Sequence, residues 1–185
     1  MDTTYGSMWR KNTVVKHTIS VLVENKFGVL ARIAGLFSAR GFNIDSLAVG
    51  PTEDASVSRM TIVSKGDDKT LEQIKKQLNK LIDVIKVVDF KEGEFVDREL
   101  VLIRVAVSAK NRKEVLEVID ASGAKIANAG SKSISIEAAG DENNTKSLLK
   151  LLEPFGILEV VRTGRIAMGM DERVLKAGGK PEVNE

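Results

Sequence analysis

The sequence has no cysteine, one histidine (His17) and only three prolines in 185 residues. Without thiols there is no disulfide and no thiolate nucleophile. One histidine with no cysteine leaves no zinc-ligand set of ordinary spacing. Aromatic residues make up 4% of the chain, which is sparse for a surface that stacks bases. No apolar run approaches the roughly 20 residues of a membrane span. The net charge is +2, with the basic residues dispersed, which argues against a nucleic-acid or membrane surface. Residues 1–15 lack the apolar core of a signal peptide, so a cytoplasmic protein is expected. Gly28, Gly35 and Gly41 are too widely spaced for a dinucleotide or phosphate loop. The pairs Asp67 with Asp68, Glu92 with Glu94, and Asp141 with Glu142 read as solvated turns, with nothing apolar nearby to raise a pKa. A chain without this machinery is economically read as a non-enzyme.

What is present is organised around residues 20–51. Ile19, Val21 and Val23 alternate with Thr18, Ser20 and Leu22, the period of a strand. A polar turn, Glu24-Asn25-Lys26-Phe27-Gly28, follows. Then Val29, Leu30, Ile33, Ala34 and Phe37 share one helical face. Gly35 inside this helix suggests close packing, and Gly41 stands where helices end. A helix start exposes unpaired N–H groups and favours negative charge. A glycine there admits close approach to the backbone, and Asn25 offers both an acceptor and donors. The combination suits a small zwitterion, with its carboxylate on the helix N–H groups. The same residues also read as an ordinary capped turn.

The pattern predicts strands over residues 15–24, 44–52 and 57–64, a helix carrying Leu71, Ile74, Leu78 and Leu81, and a strand over 84–90. This strand-helix-strand-strand-helix-strand order packs two helices on one face of a four-stranded antiparallel sheet. The other face, small and polar beside a few apolar residues, would be open to a second copy. The order then repeats: strand 100–108, helix 112–121, short strands 125–128 and 133–138, helix 146–152 ending before Pro154, and a last strand 157–167. The expected fold is α+β, two consecutive ferredoxin-like βαββαβ sandwiches. The domains read as a flexible tail 1–13, an amino-acid-binding unit 14–91, a linker 92–98, a C-terminal unit 99–170 and a flexible tail 171–185. The second unit has no glycine at its first helix start, only Lys110, Asn111, Arg112 and Lys113. It is expected to serve assembly or partner contact, or simply to complete the fold.

Three motifs stand at a recognisable spacing: Glu24-Asn25-x-x-Gly28-x-Leu30, Arg40-Gly41-x-Asn43-Ile44-x-Ser46-Leu47, and Pro51-Thr52-x-Asp54 followed by Ser58-Arg59-Met60-Thr61-Ile62. With them the chain resembles the small, regulatory subunits of acetolactate synthase, whose first domain is an ACT amino-acid-binding module. The likeness extends, more weakly, to about Met170. The resemblance implies a homodimer that binds valine, or leucine or isoleucine, between two first domains. Asn25, Gly28, Val29 and Leu30 would line the site from one chain, and Asn43 and Ile44 from the other. An apolar pocket around Val29, Leu30 and Ile44 would select a short branched side chain. It also implies a separate catalytic large subunit, which this chain activates and makes subject to feedback inhibition. Thiamine diphosphate, FAD and magnesium would belong to that partner, and no cofactor or metal to this chain. The polar residues of 45–54 are the expected contact with it, or simply an exposed hairpin. Two other readings carry different consequences: a stand-alone amino-acid sensor, and an RNA-binding module on the same fold. The second would need aromatics on its central strands, and residues 17–24 and 57–64 have none.

Overall fold

The computed structural model describes residues 15–170, and the tails expected at 1–13 and 171–185 lie outside the described residues. β1 (Val15–Glu24) encloses its alternating Ile19, Val21 and Val23 completely. α1 (Val29–Ala39) turns Val29, Ile33 and Phe37, each four residues apart, onto one buried stripe. β2 (Ser46–Pro51), β3 (Val57–Gly66), α2 (Asp68–Leu78) and β4 (Val84–Phe90) complete the unit. The strands are antiparallel in the order β2-β3-β1-β4. Both helices cover one face, over a core that includes Ile19, Ile33, Phe37, Met60, Ile62 and Leu78. α2 begins at Asp67, whose carboxylate accepts from Thr70 N at 2.8 Å and so satisfies a helix-start donor.

The second unit repeats the plan: β5 (Phe95–Ala106), α3 (Arg112–Ala121), β6 (Lys125–Ala129), β7 (Ser133–Gly140), α4 (Glu142–Leu152) and β8 (Ile157–Arg162). Its sheet runs β6-β7-β5-β8 over a separate core of Val101, Ile103, Val105, Ile134 and Ile136. The architecture is two consecutive ferredoxin-like sandwiches, as the element order predicts. Among the described residues no helix is long and apolar enough to cross a membrane.

Five local expectations change. The second strand begins at Ser46, not at residue 44, so Asn43 and Ile44 belong to the loop after α1. The ladder is joined just before it, where Asp45 N donates to Val63 O at 2.8 Å. Phe95 to Arg98, assigned from sequence to a linker, form the first part of β5 and pair with β9 (Ile166–Gly169). The long last strand is broken, because Gly164 takes a left-handed φ of 83° between β8 and β9. The helix expected at 146 starts at Glu142, because Asp141 caps it by accepting from Asn144 N at 2.8 Å. Gly35 makes no close packing contact, since a Cβ there would meet nothing within 4 Å.

The largest change concerns the outer face of the first sheet. It is not open. Thr18, Ser20, Leu22, Thr61 and Val63 are all buried, and the second unit of the same chain lies on them. One transverse row, Ser46–Val63–Thr18–Phe90, carries much of the contact. Ser46 Oγ accepts from Arg165 N at 2.9 Å, Thr18 Oγ1 from Arg165 Nη1 at 3.1 Å, and Phe90 stacks on Phe95 at 5.3 Å. In the next row Thr61 Oγ1 accepts from Ala167 N at 3.4 Å. Small polar side chains suit this face because they bond a close-lying backbone. An RNA reading that needs the face exposed has no surface here.

Two glycines give opposite expectations. A Cβ at Gly164 would stand 2.7 Å from Ser46 Oγ and 3.3 Å from Leu47 O, at positive φ. Gly164→Ala should cost on the order of 1–3 kcal/mol, with each kcal/mol lowering the melting temperature by about 2–4 °C. Gly35→Ala should instead gain up to about 1 kcal/mol of helix propensity. Thermal unfolding of both variants beside the parent checks the signs; a stabilised Gly164→Ala would contradict the close approach.

Candidate functional site

The turn between β1 and α1 is built by backbone bonds. Lys26 N donates to Glu24 O at 3.0 Å, and Asn25 N donates to Ser56 O at 2.7 Å. Asn25 Nδ2 donates to Ala55 O at 2.9 Å, so its amide ties this turn to the β2–β3 turn. Gly28 is the N-cap of α1 with φ 81°, and no side chain caps the helix. α2 and α4, by contrast, are each capped by an aspartate. The first turn of α1 carries no acidic residue either, so its N–H groups and dipole face the surface without a built-in anion.

The six residues singled out from sequence fall into two groups. Asn25 and Gly28 are exposed in the turn, and Leu30 is 42% exposed beside it. Val29 is only 3% exposed, and its side chain belongs to the core rather than to a pocket wall; its backbone N–H makes a long bond to Lys26 O at 3.5 Å. Asn43 and Ile44 follow the other end of α1. At 1.5 Å per residue, α1 separates the groups by about 16 Å. One chain therefore does not bring them onto one small molecule. Asn43 is exposed, with Nδ2 donating to Asp45 Oδ1 at 2.6 Å and its carbonyl accepting from Ser64 Oγ at 2.7 Å. Ile44 is half-buried against the first core. The hydrogen bond from Lys65, with Asn43 and Lys16 adding to it, holds the Asp45 carboxyl below the ordinary range.

Sequence reasoning missed Arg32. Its Nη1 lies 3.4 Å from where a Gly28 Cβ would stand, and its Nε donates to Asp83 Oδ2 at 2.8 Å. A cation near a helix start opposes the dipole, and Asp83 supplies the countercharge. The signal was present: Arg32 is four residues beyond Gly28, hence on the same side of the helix.

A second feature, also missed, is a polar cleft of about 320 Å³ between the two units. Its floor is an ion network. Arg165 pairs through Nε with Asp97 at 3.0 Å and through Nη2 with Glu142. Glu142 also takes Lys16 and Lys146, each at 2.8 Å. Hydrogen bonds from Lys146 and Lys16, with the charges of Lys16 and Arg165, pull the Glu142 carboxyl down to about 2, although burial pushes the other way. So Asp141 and Glu142 are not a solvated turn: one caps α4 and the other is a partly buried ionic hub. A glycine interrupting an otherwise apolar strand pattern at 164 was the available hint. Among the described residues no three His, Cys, Asp or Glu side chains are grouped to hold a metal ion.

Residues 19–86 match the family described as "AHAS small subunit-like ACT domain", and residues 98–171 match "Small subunit of acetolactate synthase". A protein of Mycolicibacterium smegmatis named acetolactate synthase small subunit is 48% identical over 90% of this chain and 98% of its own length. One of Archaeoglobus fulgidus named a probable acetolactate synthase small subunit is 53% identical over 83% of this chain and 96% of its own. The crystal structure of an acetolactate synthase small subunit from Thermotoga maritima superposes with TM-score 0.78 at 38% identity, covering 84% of this chain and 97% of that one.

The Glu142 hub has a pH signature. Its folded pKa is depressed, so its contribution is complete above the ordinary value of 4.5 and is lost as pH falls from there toward about 2. Glu142→Gln should lower stability near neutral pH and flatten the acid-side decline. Melting temperatures of parent and variant from about pH 7 to about pH 3 test this, because a shared slope would mean the hub is not what titrates.

Proposed function

The chain belongs to the family of acetolactate synthase small subunits, and from that membership we propose that it binds valine, or a close branched-chain relative, and imposes feedback inhibition on a catalytic large subunit that it also activates. As a family member it is a regulatory, non-catalytic subunit. Thiamine diphosphate, FAD and magnesium would reside on the large subunit, and both would work in the cytoplasm.

The observation that carries the reading is the uncapped start of α1 behind a left-handed Gly28. A ligand carboxylate takes the place of the missing capping anion at the N–H groups of residues 28 and 30, with the long bond of Val29 N to Lys26 O between them. The guanidinium of Arg32, steadied by Asp83, lies beside it and adds charge. Asn25 Nδ2 donates to the neighbouring turn, and its side-chain oxygen is the acceptor offered to the ligand ammonium. Leu30 and Ile44 form the apolar walls.

The length of α1 supports a homodimer. Asn43 and Ile44 reach the ligand from a second chain, because their own chain carries them to the far end of the helix. A ligand between two chains favours one dimer arrangement over another, and the large subunit responds to that arrangement. One methylene in such a pocket is worth only about 1–3 kcal/mol, so discrimination among valine, leucine and isoleucine is modest.

Calorimetric titration with valine tests the reading, with Gly28→Asp run beside the parent. The variant introduces a negative charge where the ligand carboxylate sits, and binding should disappear while the dimer persists. Equal binding by parent and variant would remove the site from the start of α1. Leucine and isoleucine should bind within about a hundredfold of valine.

A further inference from the structure

The turn between β8 and β9 touches the first unit at the residue that ends the loop of Asn43 and Ile44. Asn43 bonds Asp45, Asp45 pairs with Lys65 at 3.0 Å, and the next residue, Ser46, accepts from Arg165 N at 2.9 Å. Gly164 leaves no slack, since even a Cβ would stand 2.7 Å from Ser46 Oγ. Arg165 grips both units at once: Thr18 in the first, Asp97 and Glu142 in the second. Its side chain is only 15% exposed.

We propose that Gly164 and Arg165 are positioning residues that couple the Asn43 and Ile44 loop to the second unit, so that an effector bound at that loop changes how the second unit is held. The inference rests on the reading of this loop as part of the effector site. The joint is held by directional polar contacts: Glu142 pairs with Lys16 across it, and Thr18 Oγ1 and Ser46 Oγ both accept from Arg165. A ligand that favours one setting of these contacts over another biases the joint. Lying between two sites is not itself coupling, so the test measures coupling directly.

The full chain and its variants Arg165→Ala and Arg165→Lys are titrated with valine by calorimetry, and amide hydrogen exchange is followed with and without valine. In the parent, valine should alter exchange in residues 163–169. In Arg165→Ala that response should vanish and valine affinity should shift at least about fivefold, because coupling is reciprocal. Arg165→Lys, with the charge but not the fork, should recover part of both. A merely structural role would lower melting temperature and leave affinity and the exchange response unchanged, and that result overturns the proposal. Should Arg165→Ala fail to fold, Ser46→Ala, which removes only the hydroxyl accepting from Arg165 N, decides by the same readouts. Should the parent bind no valine, the effector reading fails on its own. The coupling is then judged without ligand: Arg165→Ala must change exchange at residues 43–44, and unchanged exchange there overturns it.

Discussion

A four-stranded sheet with both helices on one side leaves its other side bare, and this chain covers that side with itself. The contact of the β8–β9 turn with the row Ser46–Val63–Thr18–Phe90 is the constraint on which the rest depends. It explains the small hydroxylic side chains at Thr18 of β1 and Thr61 of β3. They meet backbone and a guanidinium at close range, where larger apolar side chains would hold the turn away. It also explains the glycine at 164, where sterics and backbone conformation both exclude a side chain.

The two units are alike in plan but unlike in use. The first helix of the first unit begins with a glycine in the left-handed region and no capping side chain. The first helix of the second unit also lacks a side-chain cap but carries Glu114 in its first turn; Asn111 Oδ1 accepts from Ser108 N at 2.7 Å, and Arg112 Nη1 donates to Gly130 O at 2.8 Å. The difference between the two helix starts is therefore the left-handed glycine and the missing first-turn anion of α1, not the missing cap. In the first unit, that helix's length separates Gly28 from Asn43. The proposed effector site, if those six residues share a ligand, is a property of two chains and not of one.

The element order was legible because its signals are local. Alternation in β1 and β3 and the stripe Val29, Ile33, Phe37 all follow from neighbours within a few positions. Gly28 was legible for the same reason: a glycine between a strand period and a helix period marks a chain reversal. What misled the reading were residues whose partners are distant. Glu142 looks like a loop carboxylate until Lys16, 126 positions earlier, and Arg165 are brought to it. Phe95 to Arg98 look like linker until β9 pairs with them. The family resemblance puts Val29 in the pocket wall, yet packing assigns its side chain to the core, where the helical period had it.

From sequence alone, then, followed the two βαββαβ units, the turn at Asn25 to Gly28, and the lack of any cysteine or Gly-rich nucleotide-loop spacing. Short-range periodicity and residue type are enough for these, because each depends on contacts within one element or one turn. Only tertiary structure decided that the outer sheet face is an internal joint, that Arg32 stands beside Gly28 with Asp83, and that Arg165 and Glu142 tie the units together. Those facts depend on which distant surfaces meet. A one-dimensional pattern does not encode that, since the same small polar residues serve equally at an open face and at one pressed against another unit.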